Sequence, residues 1–287
     1  MSRCVAAFCP GHISGYFKRI PGVDPATTGS VGAGLVISEG VLAYVKPAKR
    51  TIIRVWQTDG SGKGIRILQD SPPIRSAMRK IPIAASVMTE CNLPIGAGFG
   101  LSAAALLATL TALNRLYDLG MDERGIARLA HETEIDHHTG LGDVNSCRGG
   151  GMVVRTIAGI DAPVRRIHGL TGPVFAVSFG PIHTPSVLGS SEQMERVAAA
   201  FPSGEPETIE EFFSSSRAFA EKSGLVTPQV EEVLESCDAQ GLKASMTMLG
   251  NGVFAYGNEA GPVLSRYGKV YRMGIAKNGP VLVKEEP

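Results

Sequence analysis

Short apolar runs separated by turn-forming residues occupy the first fifth of the chain, at 5–8, 35–37, 42–45 and 52–56. Runs of this length, rich in valine, isoleucine and aromatic residues, predict an N-terminal antiparallel sheet. The pattern then becomes helical over 74–90, where Pro82 is expected to kink or split the helix because proline lacks the amide hydrogen and crowds the preceding turn. Two further helices are predicted at 101–117 and 122–138. After Gly149-Gly150-Gly151 come a strand at 152–157 and a hydrophobic run at 173–179. Helical spacing resumes at 189–200, 207–222 and 228–240, and strands at 253–256, 270–275 and 281–283 close the chain. The change of pattern near residue 168 places an expected boundary there, with units at 1–168 and 169–287.

Composition narrows the classes of function. A chain of 287 residues with 44% hydrophobic content can bury one large core or two medium ones. Its 28 basic and 27 acidic residues leave a net charge of +1, so no bulk attraction favours nucleic acid or an anionic membrane. Any phosphate must be gripped locally. Cys4, Cys9, Cys91, Cys147 and Cys237 are odd in number and form no Cys-x-x-Cys pair, which predicts reduced, mostly buried thiols in a cytoplasmic protein. The longest apolar segment, near 101–113, falls short of the roughly 20 residues that a spanning helix needs.

The glycine loops carry the chemistry. In Leu93-Pro94-Ile95-Gly96-Ala97-Gly98-Phe99-Gly100-Leu101-Ser102-Ala103-Ala104, three alternating glycines let the backbone wrap an anion. The small-residue helix behind them offers free N-terminal amides and its positive dipole end to the same point. Ser102 falls in the first turn, where a magnesium ion carried by that phosphate would sit. A tight connection is the competing reading of such a loop, since short glycine motifs are weak signals alone. The segment Gly60-Ser61-Gly62-Lys63-Gly64 imitates a Walker loop but lacks its spacing and its following helix, so it reads as a hairpin tip.

A second constellation lies on the helix at 122–138 and the turn after it, Ala130-His131-Glu132-Thr133-Glu134 and Thr139-Gly140-Leu141-Gly142-Asp143. At 100° per residue, Ile126, Leu129, Ala130 and Thr133 form a buried face, with His131, Glu134 and His138 along its edge and Glu132 towards solvent. A carboxylate at the margin of a core suits a metal, which favours Glu134 over Glu132. Ile135 stands four residues after His131, so the His-Glu pair is no zinc-protease helix. Taken alone, the helix also reads as a solvated acidic surface, and Asp143 as a backbone-capping residue in a glycine turn.

Together these segments resemble the GHMP kinase superfamily. The loop at 94–104 is similar to its signature Pro-x-Gly-x-Gly-Leu-Gly-Ser-Ser-Ala-Ala, departing at Phe99 and at Leu101, which removes one phosphate contact. Ala-His-x-x-Glu followed by Thr-Gly-Leu-Gly-Asp-Val resembles the family's magnesium-glutamate and catalytic-aspartate region, and 249–255 looks like a degenerate third motif. The opening Cys9-Pro10-Gly11-His12-Ile13-Ser14-Gly15-Tyr16-Phe17, the loop 28–34 and the run ending at Arg155 look like the archaeal pantoate kinase branch. The resemblance covers most of residues 5–155.

What the resemblance implies is an α+β fold: a mixed-sheet N-terminal domain and a ferredoxin-like C-terminal domain with the nucleotide between them. It implies ATP on Pro94, Gly96, Ala97, Gly98, Phe99, Gly100, Leu101 and Ser102, Mg2+ on Ser102 and Glu134, and Asp143 as base or orienter. Thr28, His131 and Arg155 would hold pantoate, on the route to coenzyme A, and a homodimer fits the reading. Three alternatives stay open: another GHMP kinase acting on homoserine, shikimate or mevalonate, a related ribofuranosylaminobenzene phosphate synthase, and a non-catalytic sensor of ATP and a metabolite.

Overall fold

The computed structural model describes residues 3–58, 64–182 and 191–286. Strands β1 (Cys4–Ile20) and β2 (Gly29–Pro47) are the longest elements of the first sheet and pair antiparallel almost throughout. The two runs expected at 35–37 and 42–45 are thus parts of one strand. Both β1 and β2 are buried along most of their length, and near-continuous apolar sequence is what a strand covered on both faces requires.

The predicted helix at 74–90 is corrected. Helix α1 spans Pro72–Arg79, and after Pro82 the chain becomes strand β5 (Ala85–Cys91). Burial alternates strictly along β5, the period of two that a half-buried strand shows and a helix cannot. β5 pairs antiparallel with β2 and parallel with β3 (Ile52–Thr58), which makes the sheet mixed. β4 (Gly64–Leu68) completes that edge, its Gly64 opposite Thr58. The hairpin tip expected at 60–64 falls mostly on residues 60–63, outside the described residues.

Helices α2 (Leu101–Tyr117) and α3 (Glu123–His137) follow as the sequence predicts. α2 is buried on nearly all sides against β1 and β2. α3 starts at Asp122, whose carboxylate accepts a hydrogen bond from the amide of Gly125 at 2.7 Å, a good N-cap. A short helix α4 (Asp143–Cys147) stands where the sequence suggests only a glycine turn. β6 (Met152–Arg155) ends two residues earlier than predicted and pairs with β2 and β7 (Arg165–Ile167).

The second sheet holds β8 (Val174–Pro181), β9 (Lys243–Met246), β10 (Gly250–Tyr256) and β11 (Val270–Met273), all antiparallel in the order β11-β8-β10-β9. Helices α5 (Ser191–Ala199), α6 (Ile209–Ser223) and α7 (Pro228–Asp238) connect β8 to β9, and α8 (Ala260–Leu264) precedes β11. Residues 189–190 of the predicted 189–200 helix lie outside the described residues. The last strand, β12 (Val281–Glu286), returns to the first sheet and pairs with β1.

The two sheets share a core. Phe219 of α6 meets Tyr16 and Phe17 of β1, while Phe213 on the same helix meets Phe254 of β10 at 5.1 Å between ring centroids. Such aromatic contacts add to the area buried. The five cysteines are buried and unbridged, as the sequence predicts. Among the described residues no helix is long and apolar enough to cross a membrane.

Candidate active site

Gly96, Gly98 and Gly100 all adopt positive φ, at 79°, 83° and 62°, a region that side chains with a β-carbon rarely enter. The spacing of these glycines, legible in the sequence, therefore encodes a backbone path that ends at the first turn of α2. No side chain caps that turn, so its amides remain available to an anion. The third motif supports the loop from below. A β-carbon at Gly98 would stand 2.7 Å from the Met248 carbonyl oxygen, and one at Gly250 would overlap the Ala97 carbonyl. The turn at 249–252 is therefore packed on the phosphate loop, as its sequence suggests.

The carboxylates meet behind this loop. Glu134 is 1% exposed on the inner side of α3, accepts a hydrogen bond from the Thr139 hydroxyl at 3.0 Å and has the Ser102 hydroxyl as a second partner. Burial, reinforced by the nearby Asp143 charge, pushes the Glu134 carboxyl up to about 8 against the pull of the two hydroxyls. Glu132, by contrast, pairs with Arg128 at 2.9 Å on the outer side of the helix. The helix register read from the sequence holds for Glu134 inside and Glu132 outside, whereas Leu129 is only half-buried and His138 is exposed at the left-handed cap.

Asp143, the first residue of α4, does not spend its carboxylate on backbone amides. Its Oδ1 lies 2.7 Å from Nδ1 of the fully buried His12. The Asp143 side chain is 26% exposed and lines the cavity. Burial alone would raise its proton affinity, but the His12 hydrogen bond and the Arg155 charge more than offset that, and the net shift is downward. Asp143 is therefore ionised where Glu134 is half-willing to hold a proton.

Arg155, the last residue of β6, lies inside the protein. It is 3% exposed, and its guanidinium donates to Oγ of Ser146, to the Ser30 carbonyl at 3.5 Å and to the Ser30 hydroxyl at 3.4 Å. No carboxylate lies within ion-pair distance of it among the described residues. Arg155 and Ser30 nevertheless border the cavity, so a cation that feels the Asp143 charge through space but makes no direct ion pair faces a space large enough for ligands.

That cavity, about 630 Å³, reaches from the apolar wall of Val55, Pro73 and Ile74 past the phosphate loop to Ser102, Glu134, Asp143 and Arg155. Thr28 and His131 do not border it. His131 is buried and donates Nε2–H to the Thr28 carbonyl at 2.9 Å, and the Thr28 hydroxyl donates to the Asp24 carbonyl at 2.8 Å. The two residues meet, as expected of partners in one site, but what they hold is the loop at 22–28.

Four residues near the site were given no role on sequence grounds: His12, Ser30, Thr139 and Ser146. Ser30 and Thr139 sit inside the glycine motifs, which is a usable signal. Nothing in the sequence shows that His12 meets a residue 131 positions away.

The donor set bears on metals. Among the described residues no group of three or more His, Cys, Asp or Glu could cage an ion. Magnesium, however, prefers one or two protein oxygens with water and phosphate completing its shell. The Ser102 hydroxyl and the Glu134 carboxylate provide such a pair, and a dication would favour ionisation of Glu134 beside the Asp143 charge. The residues fit a magnesium ion brought in by a nucleotide.

Comparisons with known proteins agree with this geometry. Residues 66–151 match the family model described as the GHMP kinases N terminal domain. The chain is 44% identical to the pantoate kinase of Methanospirillum hungatei over 279 residues, covering 97% of this chain and 96% of that protein. It is 31% identical to the pantoate kinase of Thermococcus kodakarensis over 269 residues, 88% of this chain and 87% of that one. Among solved structures, a phosphotransferase related to the coenzyme A biosynthesis pathway superimposes with a TM-score of 0.83 at 25% identity, covering 98% of both chains.

Proposed function

This chain belongs to the GHMP kinase superfamily, in its pantoate kinase branch, and we propose that it transfers the γ-phosphoryl group of ATP to the primary hydroxyl of pantoate, giving ADP and 4-phosphopantoate. The observation that carries this reading is the placement of Arg155. A buried guanidinium without a carboxylate partner borders the same cavity as Asp143, Glu134 and Ser102. A substrate carboxylate supplies the missing counter-charge, and arginine can grip it with two parallel hydrogen bonds.

The chemistry is mainly positioning and charge neutralisation. The amides at the start of α2 hold the phosphates of ATP, and the apolar wall of Val55, Pro73 and Ile74 receives its base. Arg155 fixes the pantoate carboxylate, which directs the opposite, hydroxymethyl end towards Asp143. Asp143 orients the hydroxyl and accepts its proton as the new oxygen–phosphorus bond forms and the bond from the γ-phosphorus to the β-phosphate oxygen breaks. Ser102 and Glu134 would hold the magnesium ion, which would supply charge neutralisation at the phosphates.

His131 and Thr28 act one step back, outside the cavity, where they tie the 22–28 loop to α3. The same reading includes a ferredoxin-like C-terminal unit at 169–287 beside an N-terminal unit at 1–168. Numbered along the chain, the second sheet has the order 4-1-3-2 of a split βαβ sandwich, with β12 lent back to the first sheet. It also implies a cytoplasmic enzyme.

A homoserine kinase reading is disfavoured by the lining of the cavity: Arg155 could pair the homoserine carboxylate, but the acids that line the cavity to meet its ammonium group are Glu134 and Asp143, which the transfer itself uses. A non-catalytic sensor has no need of an ionised aspartate facing the acceptor space. The test is ADP release from ATP over pantoate, homoserine, shikimate and mevalonate. Turnover confined to pantoate is expected, and equal or faster turnover of another acceptor would overturn the assignment.

A further inference from the structure

His12 joins two parts of the site that the sequence keeps far apart. Its main-chain amide donates to the Phe99 carbonyl of the phosphate loop at 2.9 Å, and its Nδ1 meets Oδ1 of Asp143 at 2.7 Å. The ring is wholly buried, and Nε2 has no hydrogen-bond partner. A β-carbon at Gly34 would overlap Nε2 and stand 2.7 Å from Cε1, so the far edge of the imidazole rests on bare backbone of β2.

We infer that His12 is the positioning residue for Asp143: a neutral imidazole whose Nδ1–H holds one carboxylate oxygen and thereby turns the other towards the acceptor hydroxyl. The inference rests on the reading of Asp143 as the group beside that hydroxyl. The assignment of the proton follows from elimination. With the proton on Nε2 instead, an imidazole lone pair would face a carboxylate oxygen at 2.7 Å and a buried N–H would be left without an acceptor, which costs about 1–3 kcal/mol for the unpaired donor alone. An imidazolium would leave the same N–H stranded, and Arg155 and Arg166 already place positive charge nearby. Only the neutral Nδ1–H form satisfies every donor. Asp143 is then aimed by a hydrogen bond rather than by a cation, and the residue that aims it is also tied to the loop that holds the phosphates. Base and phosphate loop are thus joined through one residue.

The geometry separates two substitutions. Asparagine at 12 can place an amide N–H close to the position of Nδ1, whereas glutamine extends its amide towards the position of Nε2, against Gly34. For His12→Ala, kcat is expected to fall roughly 100-fold, as misorientation of a reacting group does, with the KM for ATP and for pantoate changed less than about threefold. His12→Asn should recover about tenfold or more of that loss, and His12→Gln should recover none.

A parent-like kcat for His12→Ala, or equal activity for the Asn and Gln variants, overturns the inference. Should His12→Ala fail to fold by thermal melting, the Asn and Gln pair decides. Asp143→Asn is run alongside. If it keeps activity, the reading of Asp143 itself fails; if it is inactive while His12→Ala is parent-like, only the role of His12 is lost.

Discussion

Gly142 stands so close to Arg155 that a β-carbon at position 142 would lie 2.8 Å from the guanidinium Nε and 2.6 Å from Oγ of Ser30. Its φ of −159° lies outside the left-handed region that favours glycine, so what calls for glycine here is space. Gly140 has the same relation to Glu134: a β-carbon there would overlap Oε2. The two glycines of the Thr-Gly-Leu-Gly-Asp turn each leave room for an ionisable group from another element. Gly140→Ala and Gly142→Ala should therefore fold and still lose activity. A displacement of about 1 Å at a reacting centre costs on the order of 100-fold in rate. For Gly140→Ala the loss should appear in kcat, and for Gly142→Ala chiefly in the pantoate KM, both read from steady-state kinetics.

Glu134 is protonated in the free enzyme at neutral pH, since burial and the Asp143 charge raise it from 4.5 to about 8. Holding magnesium requires the carboxylate. Binding of magnesium-ATP at pH 7 should release close to one proton per site, measured by calorimetry in buffers of different ionisation enthalpy, and Glu134→Gln should abolish that release.

The same shift has a signature in stability. Between pH 4.5 and about 8 the folded chain keeps a proton that the unfolded chain gives up. The contribution of Glu134 to stability therefore falls as pH rises through that window and levels off above it. Glu134→Gln should flatten this fall in nucleotide-free protein, so that its melting temperature exceeds the parent's at pH 8.5 although its turnover is lost. Glu132→Gln removes only the exposed pair with Arg128, worth about 0.3–0.5 kcal/mol, and should leave kcat unchanged.

Ser102→Ala tests the division between holding phosphate and holding metal. The free amides of the loop remain, so the dissociation constant of ATP should change by less than about threefold, while loss of a metal oxygen lowers kcat by tenfold or more at limiting magnesium. Parent-like turnover under those conditions would remove Ser102 from the site.

The sequence disclosed what is written in spacing. The alternation of Gly96, Gly98 and Gly100 maps directly onto three positive φ angles, and the helical period placed Glu134 inside and Glu132 outside. Where two local signals competed, reading failed. The run at 74–90 had enough apolar positions for a helix, yet Pro82 ends one element and the alternation at 85–91 belongs to another. Contacts across the chain left no local trace. His12 reaches Asp143, and Arg155 reaches Ser30 across 125 positions, only because β1, β2, β6 and α4 converge at one point of the first sheet.

Arg155 provides the sharpest test of the acceptor, and its burial changes what its removal should do. A strand-end arginine clear of the core would be lost without effect on stability. This one donates to Ser146 and Ser30 from inside the protein, so Arg155→Ala leaves buried oxygens without donors and a void behind. The cost should be about 1–3 kcal/mol, lowering the melting temperature by about 2–4 °C for each kcal/mol in a chain of this size. Binding is a separate effect. With the cation gone, the pantoate carboxylate enters the cavity unpaired, which costs roughly 2–5 kcal/mol. Arg155→Lys keeps the charge but loses the planar fork. It should melt close to the parent while the pantoate KM rises by well over tenfold, and the KM for ATP should change far less. The two variants thus part company on the melting curve and agree on the acceptor. If both retain the parent pantoate KM, the carboxylate lies elsewhere in the cavity, and Arg155 is a structural cation holding α4 against β2.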